Sequence, residues 1–241
     1  MKLHRFGIGL LALGLSLLPA AAEAATPSIG HVSRIAGAQL GNAEAPGGPV
    51  RKLAQGDPIY AGERIRTGAG TVMQIEFTDK ARFTLGPNAE FEVGRYSYAS
   101  GGADEDAFYS RIIKGAFRFA TGLIARKPGK NMKVSVSVAT IGIRGTNVEG
   151  EVTERQEKDG RTVDASAKVA LLEPEGTNTG SAIVVENQFG SVVVDKPGYG
   201  TEIPDEKSPP SPVKRMQLRT VDNLLRAIRT PAPTGGPARR P

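Results

Sequence analysis

Residues 73–93, MQIEFTDKARFTLGPNAEFEV, alternate apolar and polar side chains in three short runs. Met73, Ile75 and Phe77 fall on one side of a pleated strand, and Gln74, Glu76 and Thr78 on the other. Phe83 with Leu85, then Ala89, Phe91 and Val93, repeat the pattern after turns at Asp79-Lys80 and Gly86-Pro87-Asn88. Period-two alternation broken by turn formers predicts consecutive hairpins with one face in a core.

The same pattern extends outward. Val134, Val136 and Val138 alternate with Ser135 and Ser137, and Val169 to Leu172, Ile183 to Val185 and Val192 to Val194 form further short apolar runs. Asp159-Gly160, in a polar stretch, reads as a two-residue hairpin turn. No fixed-period repeat marks a propeller or solenoid. The expected fold is all-β, a roll or sandwich of two packed sheets of short strands.

The two ends are different in kind. Lys2 and Arg5 precede the apolar run Ile8 to Leu18, and Ala22-Glu23-Ala24 is a small-x-small cleavage pattern. Residues 1–24 therefore read as a signal peptide, cut between Ala24 and Ala25, which sends the chain to the periplasm or beyond the cell. No stretch reaches the roughly 20 apolar residues of a membrane helix. Residues 25–203 are expected to form the β domain. Pro204 and the Ser208-Pro209-Pro210-Ser211-Pro212 run suggest a linker over 204–212. Met216, Leu218, Val221, Leu224, Leu225 and Ile228 recur at helical spacing, predicting an amphipathic helix over 213–230 with Ser211 as its cap and Pro212 at its first position. That helix would either dock on the body or contact a partner. Residues 231–241 read as a disordered basic tail.

Charge follows this division. The net charge of +6 is carried almost wholly by the segment from Val213 onward, so the body is nearly neutral and is not expected to bind nucleic acid. There is no cysteine, which removes thiolate and disulfide chemistry. Once His4 leaves with the signal peptide, His31 is the one remaining histidine, too few for a Ser-His-Asp arrangement or a zinc site. Asp104-Glu105-Asp106 reads as a solvated acidic loop rather than a calcium site. Glu76, Glu90 and Glu92 are outward strand positions, polar in any half-solvated sheet. The chain is thus expected to be no enzyme, with no catalytic residue, cofactor or metal.

One set of motifs is more specific. Gly56-Asp57-Pro58-Ile59-Tyr60-Ala61-Gly62-Glu63-Arg64-Ile65-Arg66-Thr67-Gly68 precedes the strand ending at Phe77-Thr78-Asp79, then Phe83-Thr84-Leu85-Gly86-Pro87, Gly115-Ala116-Phe117-Arg118 and Ala139-Thr140-Ile141-Gly142-Ile143-Arg144-Gly145-Thr146. In order and spacing this resembles the FecR domain family over roughly 29–152, with a weaker continuation to Pro212. Glu63 stands where an aspartate is usual, Lys80-Ala81 replaces a Gly-Ser pair, and Val136-Ser137 stands where Thr-Pro is common. The best-known relatives are inner-membrane regulators with a transmembrane helix and a cytoplasmic domain. The resemblance here implies the secreted, free-standing branch, without that signalling role.

Read physically, the motif residues specify structure. Gly56, Gly62 and Gly68 permit positive φ at turns, while Asp57, Thr67 and Asp79 satisfy nearby backbone N–H groups. Arg144, between Ile143 and Gly145, is expected to be partly buried against a structural partner, the alternative being a ligand's anion. The function expected is periplasmic interaction or scaffolding with an envelope protein. The alternative is binding of peptidoglycan or another polysaccharide, which predicts a groove presenting Tyr60, Tyr96, Tyr98 or Phe108.

Overall fold

The computed structural model describes residues 26–37, 39–98, 106–126, 132–173 and 181–219. In chain order the strands are β1 (Gly30–Ala36), β2 (Gly41–Glu44), β3 (Val50–Leu53), β4 (Pro58–Ile59), β5 (Arg64–Arg66), β6 (Val72–Phe77), β7 (Arg82–Leu85), β8 (Glu90–Ser97), β9 (Ala107–Ala120) and β10 (Met132–Val136). There follow β11 (Ala139–Arg144), β12 (Asn147–Thr153), β13 (Gln156–Lys158), β14 (Arg161–Val163), β15 (Ser166–Leu172), β16 (Ala182–Asn187), β17 (Gly190–Val194), β18 (Tyr199–Ile203) and β19 (Lys214–Arg215). A 3-10 turn covers Ile124–Arg126.

Two sheets share one strand. The first runs β4-β1-β6-β7-β9-β12-β15-β18-β19 and the second β3-β2-β5-β8-β9-β10-β11-β16-β17. Strand β9 pairs with β8 and, in parallel, with β10 up to Lys114; from Gly115 onward it pairs with β7 and β12. Gly115 makes this change of sheet possible. Its φ is 99°, and a methyl group there would lie 2.6 Å from Ala89 Cα.

The alternation read from the sequence sets the burial. Met73, Ile75, Phe77, Phe83, Leu85, Phe91 and Val93 all enter the core between the sheets. Phe77 of the first sheet meets Phe108 of the second with ring centroids 4.7 Å apart, and Phe83 meets Phe91 at 5.0 Å. The half built from β1 to β8 is filled by Phe77, Phe83 and Phe91 together with aliphatic side chains such as Leu53, Ile59, Ile65 and Met73; the half beyond β9 is filled by Val134, Ile141, Val148, Val169, Leu171, Ile183, Val185 and Ile203, within the same cluster. Each such fully buried side chain contributes roughly 1.5–3 kcal/mol. Gly150 makes room for an aromatic ring: a methyl group there would sit 2.4 Å from the Phe117 ring. The Asp159-Gly160 turn closes β13 and β14, with φ of 52° and 69°.

The C-terminal expectation needs correction. Residues 204–212 are no free tether: Pro210 is buried, and the Ser208 carbonyl accepts a bond from Asn187 Nδ2 at 2.9 Å. No helix begins at Val213. Ser211 does not cap one because its N–H donates to the Glu202 carbonyl at 2.8 Å and its hydroxyl accepts from the Glu202 N–H at 3.0 Å. The chain therefore runs antiparallel to β18, forms β19 and continues extended until its Met216 N–H reaches the Gly198 carbonyl at 2.9 Å. Leu218 is buried with Val72 and Ala116 on the outer face of the first sheet. Met216 and Leu218 alternate with Arg215 and Gln217, so over this short run a strand period fits as well as a helical one, and helical structure starts only at Arg219. The rest of the expected helix and the basic tail, like the signal peptide, lie outside the described residues.

Candidate functional site

The family-motif residues do not converge on one pocket. Most lie where the chain passes between sheets. Gly56-Asp57 joins β3 of the second sheet to β4 of the first, Gly62 joins β4 to β5 of the second, Thr67-Gly68 joins β5 to β6 of the first, and Gly145-Thr146 joins β11 to β12. Gly56, Gly62 and Gly145 have φ of 93°, 83° and 51°. Gly68 departs from expectation. The positive φ at its corner belongs to Gly70, while at Gly68 a methyl group would lie 2.7 Å from the Gln39 side chain.

Each corner is tied by a side chain. Asp57 Oδ2 accepts the Ala54 N–H at 2.7 Å, a local bond as the sequence suggests. The Thr67 hydroxyl instead reaches a second corner, donating to the Gly86 carbonyl at 2.5 Å and accepting from the Ala89 N–H at 2.9 Å. Asp79 is buried beyond Phe77, also buried, in the β6–β7 turn. Its carboxylate accepts from the Ala81 N–H at 3.1 Å and the Ile124 N–H at 3.4 Å. The Tyr96 hydroxyl completes this knot, at 3.2 Å from Asp79 Oδ1, 2.8 Å from the Thr78 hydroxyl and 2.9 Å from the Asp79 N–H. Burial raises the Asp79 pKa above its ordinary value, against the lowering effect of these N–H groups, and burial likewise raises that of Tyr96. Lys80 holds a left-handed φ of 70° in this turn, at the position where the resembled motif has glycine.

Glu63 carries the largest structural role the sequence reading missed. It is 3% exposed. Its Oε2 accepts the Tyr60 N–H at 2.9 Å, and both oxygens bind Arg51, at 2.8 and 2.9 Å from Nη2. The same Nη2 donates to the Pro58 carbonyl at 2.6 Å. The extra methylene relative to aspartate lets one side chain serve its own turn and also clamp β3. The signal in the sequence was the substitution itself.

The outer face of the second sheet carries a ladder of ion pairs. Glu90 is buried among Arg66 (3.3 Å), Arg64 (3.6 Å) and Lys114 (3.6 Å). Glu44 holds Arg66 at 2.7 Å, Glu92 holds Arg64 at 3.3 Å, and Glu154 holds Lys114 at 3.0 Å. The hydrogen bonds that Arg66 donates to Glu44 and Lys114 donates to Glu154 raise the pKa values of these two cations. A groove of about 410 Å³ beside the ladder is lined by Glu44, Pro46, Arg64, Arg66 and Glu92. Glu90 and Glu92, candidates for paired-carboxylate chemistry, are thus engaged by cations.

Arg144 is placed differently from expectation. Its side chain is exposed on the outer face of β11, while Ile143 and Thr146 are buried. As the last residue of β11, next to the inward Ile143, Arg144 points outward. The Gly145 carbonyl accepts the Ser181 hydroxyl at 2.9 Å and the Thr146 carbonyl accepts the Thr121 N–H at 3.1 Å, so the backbone holds this corner.

The four aromatics expected along a sugar-binding groove are engaged by the fold. Phe108 is fully buried, Tyr96 lies against Phe77 at 5.7 Å, Tyr98 packs on the core, and Arg51 covers the Tyr60 ring at 5.5 Å. His31 is exposed in β1. Asp106 is buried, whereas Asp104 and Glu105 lie outside the described residues. No described helix is long and apolar enough to cross a membrane. A family model described as FecR protein matches residues 63–173, from just before β5 to just after β15. Neither the curated proteins nor the solved structures contain a match to the chain.

Proposed function

From the premise that this chain carries a FecR domain, an envelope-associated signalling and regulatory domain, we propose that it is a non-enzymatic interaction or scaffolding module acting in the periplasm on an envelope protein. The observation that carries this reading is how the chemistry-bearing side chains are used. Asp79, Thr67 and Glu63 tie corners, and Glu90 and Glu92 are bound by Arg64, Arg66 and Lys114. What faces outward is sheet surface and strand edge, which suits contact with another chain. The packed aromatics take away the feature that favoured a polysaccharide. Export by cleavage at Ala24-Ala25 is part of the proposal.

Crosslinking in intact cells, followed by identification of captured proteins, tests it. A reproducible envelope partner is the expected result. Pelleting with purified cell-wall polymer, with no protein captured, would favour the polysaccharide reading instead.

A further inference from the structure

We propose that the open edge of β17 pairs, across a two-fold axis, with the same edge of a second copy of this chain. Among the described residues β17 is bonded to β16 alone, so one side of it ends the second sheet. Which backbone groups face that side follows from the hairpin. Antiparallel ladders alternate bonded and non-bonded pairs, and the pair closing the two-residue turn, Asn187 with Gly190, is a bonded one. The pairs Val185–Val192 and Ile183–Val194 are then bonded too. Ser191 and Val193 aim their N–H and C=O groups at the open edge.

Edges are normally blunted, and the others here are. β4 is two residues long and begins with Pro58; β19 is two residues long and consists of Lys214 and Arg215; β3 carries Arg51 and Lys52. β17 has none of these devices. It is Gly-Ser-Val-Val-Val, without charge or proline, and Val193 is 57% and the adjoining Phe189 45% exposed.

The choice of a second copy rests on self-complementarity. A two-fold axis at Val192 sets Ser191 opposite Val193 of the other copy, and Val193 opposite its Ser191, so that all four outward groups on each strand find partners. In that register Asp195 lies opposite Phe189 and Lys196 opposite Gln188, and no like charges meet. Val192 already packs against the core, so its meeting with its own copy continues the apolar layer from one molecule into the next. The contact is short beside a standard interface of roughly 1,600 Å². A reversible, concentration-dependent dimer is therefore the form expected.

Sedimentation equilibrium of the purified, processed protein over a wide concentration range reads this directly. A monomer–dimer equilibrium is expected, shifted to monomer at least tenfold by Val193→Lys and by Ser191→Pro, with the melting temperature at low concentration unchanged. Amide exchange needs no variant: protection of the Ser191 and Val193 N–H groups should rise with concentration. A protein that stays monomeric throughout overturns the proposal, as does a dimer that persists in both folded variants, or pairing of this edge with a different protein while self-association is absent.

Discussion

The Tyr96 hydroxyl stands 2.9 Å from the Asp79 N–H and 3.2 Å from its carboxylate, so a side chain of β8 in one sheet closes a turn of the other. Tyr96→Phe keeps the ring against Phe77 and removes these bonds. A cost of about 1–2 kcal/mol is expected in urea unfolding, with the slope unchanged.

The pH dependence of that knot has a definite sign. The folded pKa of Asp79 is raised by burial, so the native state takes up its proton before the unfolded chain does. The charged carboxylate therefore costs stability above its folded pKa. That cost is relieved as pH falls from the raised value toward the ordinary carboxylate range near about 3.9. Measured against Asp79→Asn, which does not titrate, the native protein should gain stability over this window. Glu202 acts oppositely, since Lys214 lowers its pKa and its stabilisation is lost on acidification. The comparison with Asp79→Asn isolates Asp79, and a native protein that loses stability relative to that variant as pH falls through this window would refute the assignment.

Glu63→Ala leaves the Tyr60 N–H and the Arg51 guanidinium without their acceptor. Arg51 is about one-third exposed, so water recovers part of the loss, and about 2 kcal/mol is expected by thermal unfolding. Glu63→Asp should retain the turn bond and lose the reach to Arg51, giving an intermediate value.

Arg144→Ala should change stability by no more than about 1 kcal/mol, because the side chain is exposed. The same variant assayed for partner capture separates surface recognition from folding: unchanged melting with lost capture would make Arg144 a contact residue.

Gly115→Ala places a side chain at φ 99° and against the Ala89 backbone. A loss above about 2 kcal/mol is expected, larger than for alanine at an open turn glycine such as Gly47. Equal effects at both positions would argue against the strand passing between sheets at Gly115.

Leu218→Ala should cost about 1–2 kcal/mol, below a central core site, since Leu218 seats on the outer face with only Val72 and Ala116 among the buried residues. Truncation after Pro210 removes β19 as well and should cost more. A body of unchanged stability after truncation would show that the C-terminal segment lies on the sheet without holding it.

The sequence by itself determined the strands of alternating pattern, such as those over residues 73–93, and which of their faces are buried. Met73, Ile75 and Phe77 alternate with polar neighbours, and side chains of a strand must alternate, so the face followed from local order alone. The Asp159-Gly160 turn was legible for the same reason, as both residues tolerate the positive φ it needs. Only the tertiary structure decided that the motif glycines are corners between sheets and that Thr67 ties one corner to another. It alone showed that Glu63 reaches Arg51, that Arg144 points outward and that Lys214–Arg215 add a strand where a helix was expected to begin. Each of these depends on which strand lies beside which, a pairing set by burial and register between distant segments. Local periodicity fixes a strand's two faces but not its neighbours.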